Sequence, residues 1–337
     1  MIVARFWAEA RAEGRSPDRH PTSVLRFGWS QHSPQEAQRM AEERAAEALA
    51  RRVRGEFVPH REPTRPYEAA ADLPIREEIV EEHSQAVLTR NCYGALCLNT
   101  ERVMFVDVDE ADTELASCVG CLVGGLGGIA AGIGLAFWNG LPPKGAAKRV
   151  FRYALIGAVA GAFLLGWLSA AFRRLTGSGE ARVRGTMRRL RRWVAAHPEW
   201  VVRAYRTPAG LRLLVMHATF DSRSTEAGEF FKAMRSDPRY VSMCVAQHCF
   251  RARLTAKPWR IGVDKRLFPR TGRWPLTDPG EIARREDWLR EYDQARAGYA
   301  ACRFLETVGT SFSDPACEQV RYLHDRISGA ESGLPIA

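Results

Sequence analysis

Much of the familiar catalytic vocabulary is missing from this chain. Its 337 residues contain no P-loop, no Gly-x-Ser-x-Gly elbow, no His-Glu-x-x-His helix and no Gly-rich dinucleotide fingerprint. Enzyme classes built on those motifs are therefore disfavoured. No internal repeat is present. The segment MIVARFWAEARAEGR is soon broken by charge and lacks the roughly 7–15-residue apolar core of an export signal. Eight Cys in a chain of this length do not make a disulfide framework, and without an export signal the expectation is reduced, cytosolic thiols. Acid is in deficit as well. The 49 Lys+Arg, mostly Arg, exceed the 39 Asp+Glu and give a formal charge of +10. Such an excess suits nucleic acid, anionic lipid headgroups or phosphate-bearing substrates.

Two long apolar runs stand out against this background. Residues 118–138 (CVGCLVGGLGGIAAGIGLAFW) and 153–172 (YALIGAVAGAFLLGWLSAAF) carry no charge. At about 1.5 Å per residue each is long enough for a bilayer core. Gly120, Gly124, Gly128 and Gly132 recur every fourth residue, and Gly157/Gly161 repeat the spacing. Gly-x3-Gly faces of this kind permit close helix–helix approach and self-association. The expectation is a transmembrane hairpin in a lipid bilayer. The eight Arg of 173–192 outweigh the loop cations Lys144, Lys148 and Arg149, which places both termini in the cytoplasm of an inner membrane, near anionic headgroups.

The remaining residues read as an α+β protein, a mixed or antiparallel sheet with helices. The divisions expected are an N-terminal β/α region (1–60), the first part of an α+β domain (67–117), the hairpin (118–172), a basic helix with the second part of that domain (173–277), and a helical region (278–337). Ser33-Pro34-Gln35-Glu36 reads as a capping box opening a helix over 34–53. Helices are also expected over 279–308, with a break at Gly298, and over 315–328. FRARLTAKPWRIGV (250–263) reads as strand, turn, strand. A hairpin's two ends lie close together, so the meander ending at Asp109 and the strands from residue 200 are expected to share one sheet.

Three constellations carry candidate chemistry. In Val106-Asp107-Val108-Asp109 a strand sends both carboxylates to one face, where they suit Mg or Mn with a phosphate-bearing substrate; an acidic strand end is the plainer alternative. In Tyr205-Arg206-Thr207-Pro208-Ala209-Gly210-Leu211-Arg212 a tight turn flanked by Arg206 and Arg212, with His217 downstream, can clamp a phosphate or be an ordinary hairpin. In residues 249–260 the cations Arg251, Arg253, Lys257 and Arg260 interleave with Phe250 and Trp259, a pattern for polyanions such as nucleic acid or for an amphipathic edge strand. Cys92/Cys97 and Cys244/Cys249 with His248 offer zinc ligands, core packing being the commoner use of such thiols.

FVDVD (105–109) with Thr207-Pro208-Ala209-Gly210-Leu211-Arg212 resembles the acidic strand and the T-P-S-G-G-x-H-like turn of archaeo-eukaryotic-type primase-polymerases. That resemblance implies metal-dependent nucleotidyl transfer at Asp107 and Asp109, although Arg212 stands where the turn would carry histidine. RFGWS (26–30), PIREEI (74–79), TRNCYGALCLNT (89–100), FVDVD, YRTPAGLR (205–212) and CFRARLTAKPWRIG (249–262) resemble a family of hypothetical bacterial proteins, which implies no activity. Two function classes follow: a membrane-anchored binding or structural module with a basic cytoplasmic face, or an Mg-dependent phosphoryl- or nucleotidyl-transfer enzyme.

Overall fold

The computed structural model describes residues 3–18, 20–62, 74–109, 130, 155, 178–263, 274–310 and 312–337. The chain divides into two compact units, one of residues 1–108 with 189–337 and one of residues 109–188.

In the larger unit, β1 (Phe6–Arg15) and β2 (Pro21–Ser30) form an antiparallel ribbon, against which α1 (Pro34–Val53) packs. Ser33 caps α1 as its sequence predicts, its hydroxyl accepting from Glu36 N. The Glu36 carboxylate accepts from Ser30 Oγ at 2.6 Å, tying the cap to β2. Ala37, Ala41, Ala45 and Ala48 make the buried stripe, and Gly28 admits the helix backbone where any Cβ would strike Ala37 O and Ala41.

A four-stranded antiparallel sheet follows, in the order β3 (Glu78–Glu82), β4 (Val87–Arg90), β5 (Leu96–Thr100), β9 (Phe250–Arg253). A second sheet has the order β10 (Arg303–Val308), β7 (Val202–Thr207), β8 (Gly210–Val215), β6 (Phe105–Asp109). Strands from both sides of the long apolar insert thus lie in one sheet, as expected. Helices α3 (Thr225–Met234), α4 (Pro238–Gln247), α5 (Pro279–Arg296) and α6 (Pro315–Ser328) complete this unit, to which residues 189–196 of α2 (Ser178–Ala196) also belong. Trp200, Phe220 and Phe230 fill part of the core, with ring centroids 4.6–5.5 Å apart.

The α+β character with antiparallel sheets stands, but the membrane component of the expected fold does not. Among the described residues no helix is long and apolar enough to cross a membrane. The longest described helices are heavily charged; α2 alone holds Arg182, Arg184, Arg188, Arg189, Arg191 and Arg192. The expected spans 118–138 and 153–172 lie outside the described residues save Ala130 and Leu155. An integral inner-membrane protein with a defined topology is accordingly unsupported, and the reading as a membrane-anchored module loses its premise. Two smaller expectations also change. Residues 303–308 form strand β10 rather than the end of a helix, and Pro258–Arg260 form a 3-10 turn rather than a second strand. Pro258 has no N–H for a sheet ladder, which favours the turn.

Candidate functional site

The acidic pair on β6 meets a cation of the protein itself. Arg212, on β8 and almost fully buried, donates from Nε to Asp107 Oδ1 at 3.0 Å. Its Nη1 donates to Arg253 O on β9 at 2.8 Å and lies 3.4 Å from His324 Nε2 on α6. Burial alone would lower the guanidinium's pKa, but the Asp107 carboxylate and Cys302 hold it above the ordinary value. Arg212 therefore staples two sheets and a helix through one planar fork. A divalent cation beside Asp107 would have to share the carboxylate with this guanidinium and be repelled by it. Asp109 is exposed, and among the described residues no three His, Cys, Asp or Glu side chains converge as a metal site. The acidic pair does not fit the metal expected from its spacing.

Beyond Arg212 the polar chain continues inward. His324 is fully buried, its ring between Tyr205 and Phe105, and its Nδ1 lies 2.8 Å from Asp325 Oδ1. Asp325 in turn accepts from Arg203 at 3.0 Å. Cys302 Sγ sits 3.9 Å from His324 Nε2 and 3.4 Å from Ser328 Oγ. Burial alone would raise the Asp325 carboxyl, yet the His324 hydrogen bond and charge hold it below the usual carboxylate range.

The other expected site residues are distributed elsewhere. Arg206 pairs in register with Leu211, one position off Arg212, so it sits on the opposite face of the sheet; its Nη1 donates to Gly210 O at 2.7 Å and tightens the turn. His217 packs against Trp200 and Phe220 and accepts from Val201 N at 3.5 Å. Burial lowers its pKa. Arg251 is buried against Glu77, whose Oε2 also accepts from Thr89 Oγ1 at 2.7 Å. Arg253 Nη1 donates to Thr255 O at 2.9 Å. Both strand arginines thus serve the interior. The cysteines offered as zinc ligands behave as core thiols: Cys97, Cys244 and Cys249 are buried, and burial pushes Cys92 and Cys249 up to about 11. Cys118 and Cys121 lie outside the described residues.

Where the 249–260 segment reaches the surface, it builds an aromatic platform. Tyr93 is 44% and Trp259 52% exposed, and their rings meet edge to face with centroids 5.1 Å apart. The Lys257 ammonium lies 5.3 Å from the Trp259 ring centroid. The base beneath is rigid. Asn91 Oδ1 accepts from Tyr93 N and Ala95 N, closing the turn that presents Tyr93. Gly94 has φ +86°, and a Cβ there would run into the Trp288 ring. Arg90 Nη1 donates to Gly94 O at 2.8 Å, and Tyr292, stacked on Trp288, donates to Ala256 O at 2.6 Å.

Sequence reasoning found Lys257 and Trp259 but missed Tyr93, though Asn91-Cys92-Tyr93-Gly94 has the composition of a tight turn that exposes its third residue. It missed the Cys302–His324–Asp325 cluster altogether, whose members come together only because β10 and α6 flank β7 and β8. Comparison with family models, curated proteins and solved structures returns no match for this chain.

Proposed function

We propose that the larger unit is a binding module for single-stranded nucleic acid, with Tyr93 and Trp259 as its base-stacking platform and Lys257 and Arg260 as its phosphate contacts. The observation that carries this reading is the exposed edge-to-face pair Tyr93–Trp259 with a lysine over its outer ring. Two large aromatic rings left half in water normally weaken a monomer's surface design, and a stacking ligand gives them a use. Every base has a π-face, so such a platform is tolerant of sequence, and neighbouring cations follow the backbone. The rigid base under Gly94 lowers the ordering cost of binding. Charge favours the same partner: the chain carries +10, and residues 264–273, outside the described residues, add Lys265, Arg266, Arg270 and Arg273 against Asp264.

Fluorescence anisotropy with a labelled single-stranded oligonucleotide and its duplex tests the proposal. Binding of the single strand in preference to the duplex, weakened by Trp259→Ala and by Tyr93→Ala, is the expected result. Equal affinity of wild type and both variants would remove the platform from the interface and end this reading.

A further inference from the structure

We propose that Cys302 is a peroxide-reactive thiol, oxidised to a sulfenic acid with His324 as its proton carrier. Three elements assemble the group: Cys302 precedes β10, His324 and Asp325 lie on α6, and Arg212 comes from β8. The Sγ–Nε2 separation of 3.9 Å and the Nδ1–Oδ1 separation of 2.8 Å link thiol, imidazole and carboxylate in that order. There Asp325 fixes the ring and stabilises an imidazolium, and the imidazolium stabilises a thiolate. Ser328 Oγ at 3.4 Å and the Arg212 guanidinium add a hydroxyl and a positive charge.

The thiol's ionisation runs the same way. Burial alone would raise it, but the His324 charge and hydrogen bond, with Arg212 and Ser328, hold Cys302 below its ordinary value. Burial instead pushes Cys92 and Cys249 up to about 11 and Cys317 up to about 12.

Closure of the site chooses the electrophile. Cys302 and His324 have no exposed surface, so only a reagent close to water in size reaches the sulfur, through small local openings. Hydrogen peroxide meets that requirement. The thiol first gives its proton to His324 Nε2. The thiolate sulfur then attacks one peroxide oxygen, and an S–O bond forms as the O–O bond breaks. Sulfur loses two electrons and the peroxide gains them. The departing hydroxide takes the His324 proton and leaves as water, so the sum is thiol plus peroxide to sulfenic acid plus water.

The test uses the full chain at neutral pH. Native protein is pulsed with hydrogen peroxide, the peroxide is removed with catalase, the chain is then unfolded in dimedone to trap sulfenic acid, and the adducts are located by peptide mass mapping. Cys302 is expected to label about tenfold faster than Cys92, although Cys92 is the less buried thiol. In His324→Gln the Cys302 rate falls about tenfold while labelling of Cys92 is unchanged. If that variant does not fold, the comparison of the two thiols in the wild-type chain decides alone. Labelling of Cys92 first, of neither thiol, or of Cys302 only when the peroxide itself is added in denaturant would overturn the proposal.

Discussion

Neutralising Asp107 separates a staple from a metal site by the sign of one number. In a metal site, paired carboxylates repel one another, and Asp107→Asn relieves that repulsion and stabilises the metal-free protein. In the arrangement observed, Asp107→Asn instead strands a cation. The Arg212 side chain is only 3% exposed against 29% for Asp107, so the guanidinium cannot recover its hydration. Removing one partner of a buried pair costs about 3–5 kcal/mol. Arg212 keeps its bond to Arg253 O, and Asp107 was partly hydrated from the start, so the lower end, about 3 kcal/mol, applies. Arg212→Met leaves a carboxylate that can reach water, together with an unpartnered carbonyl at Arg253, and costs about 2 kcal/mol. The double variant loses less than the sum of the two. Urea unfolding followed by tryptophan fluorescence reads this directly, as a fall in midpoint of up to about 1 M for Asp107→Asn at an unchanged slope. A midpoint at or above that of the wild type would refute the staple.

Three further outcomes follow from the geometry. Gly94→Ala forces a Cβ into Trp288 at φ +86° and should cost about 2 kcal/mol in thermal or urea unfolding, with oligonucleotide affinity falling in step as the platform tilts. Lys257→Ala should reduce the slope of log affinity against log salt by about 0.7, from roughly −1.4 for two phosphate contacts, whereas a contact made through aromatic stacking alone leaves the slope unmoved. Because the Asp325 carboxyl is held below its ordinary value in the folded chain, the unfolded chain takes up its proton first; the stability it contributes is present above about pH 4 and is lost as pH falls through the folded value. The stability gap between wild type and Asp325→Asn should therefore shrink between pH 5 and pH 3 in urea melts.

Local signals in the sequence carried a good part of the fold. The Ser33 cap, the strand at 105–109, the turn at Thr207–Gly210 and the helix opened by Asp314-Pro315 are all set by side chains within four residues of one another, and they stand in the structure. β10 escaped because Phe304 and Leu305 fit a helix face as well as a strand, and what decides for the strand is the open edge of β7 beside it. The site was legible only in pieces. Two carboxylates alternating on a strand announce a shared face, but whether that face meets a metal or a guanidinium depends on a residue 105 positions away. The strand arginines Arg251 and Arg253 show the same limit, since alternation cannot distinguish an outward polyanion face from an inward network when Glu77 waits inside. The membrane hairpin was read from run length and glycine spacing alone, a signal for which no described helix qualifies.

The contact between Gly94 and Trp288 also has an evolutionary consequence. A turn residue and a helix residue 194 positions apart share one small volume, so neither can drift alone. Chains of this kind that acquire a side chain at 94 must shrink residue 288 in compensation. The φ of +86° further restricts the newcomer to asparagine or aspartate. Such paired exchanges would mark, in sequence alone, which relatives keep the tyrosine at 93 held at the same height above α5.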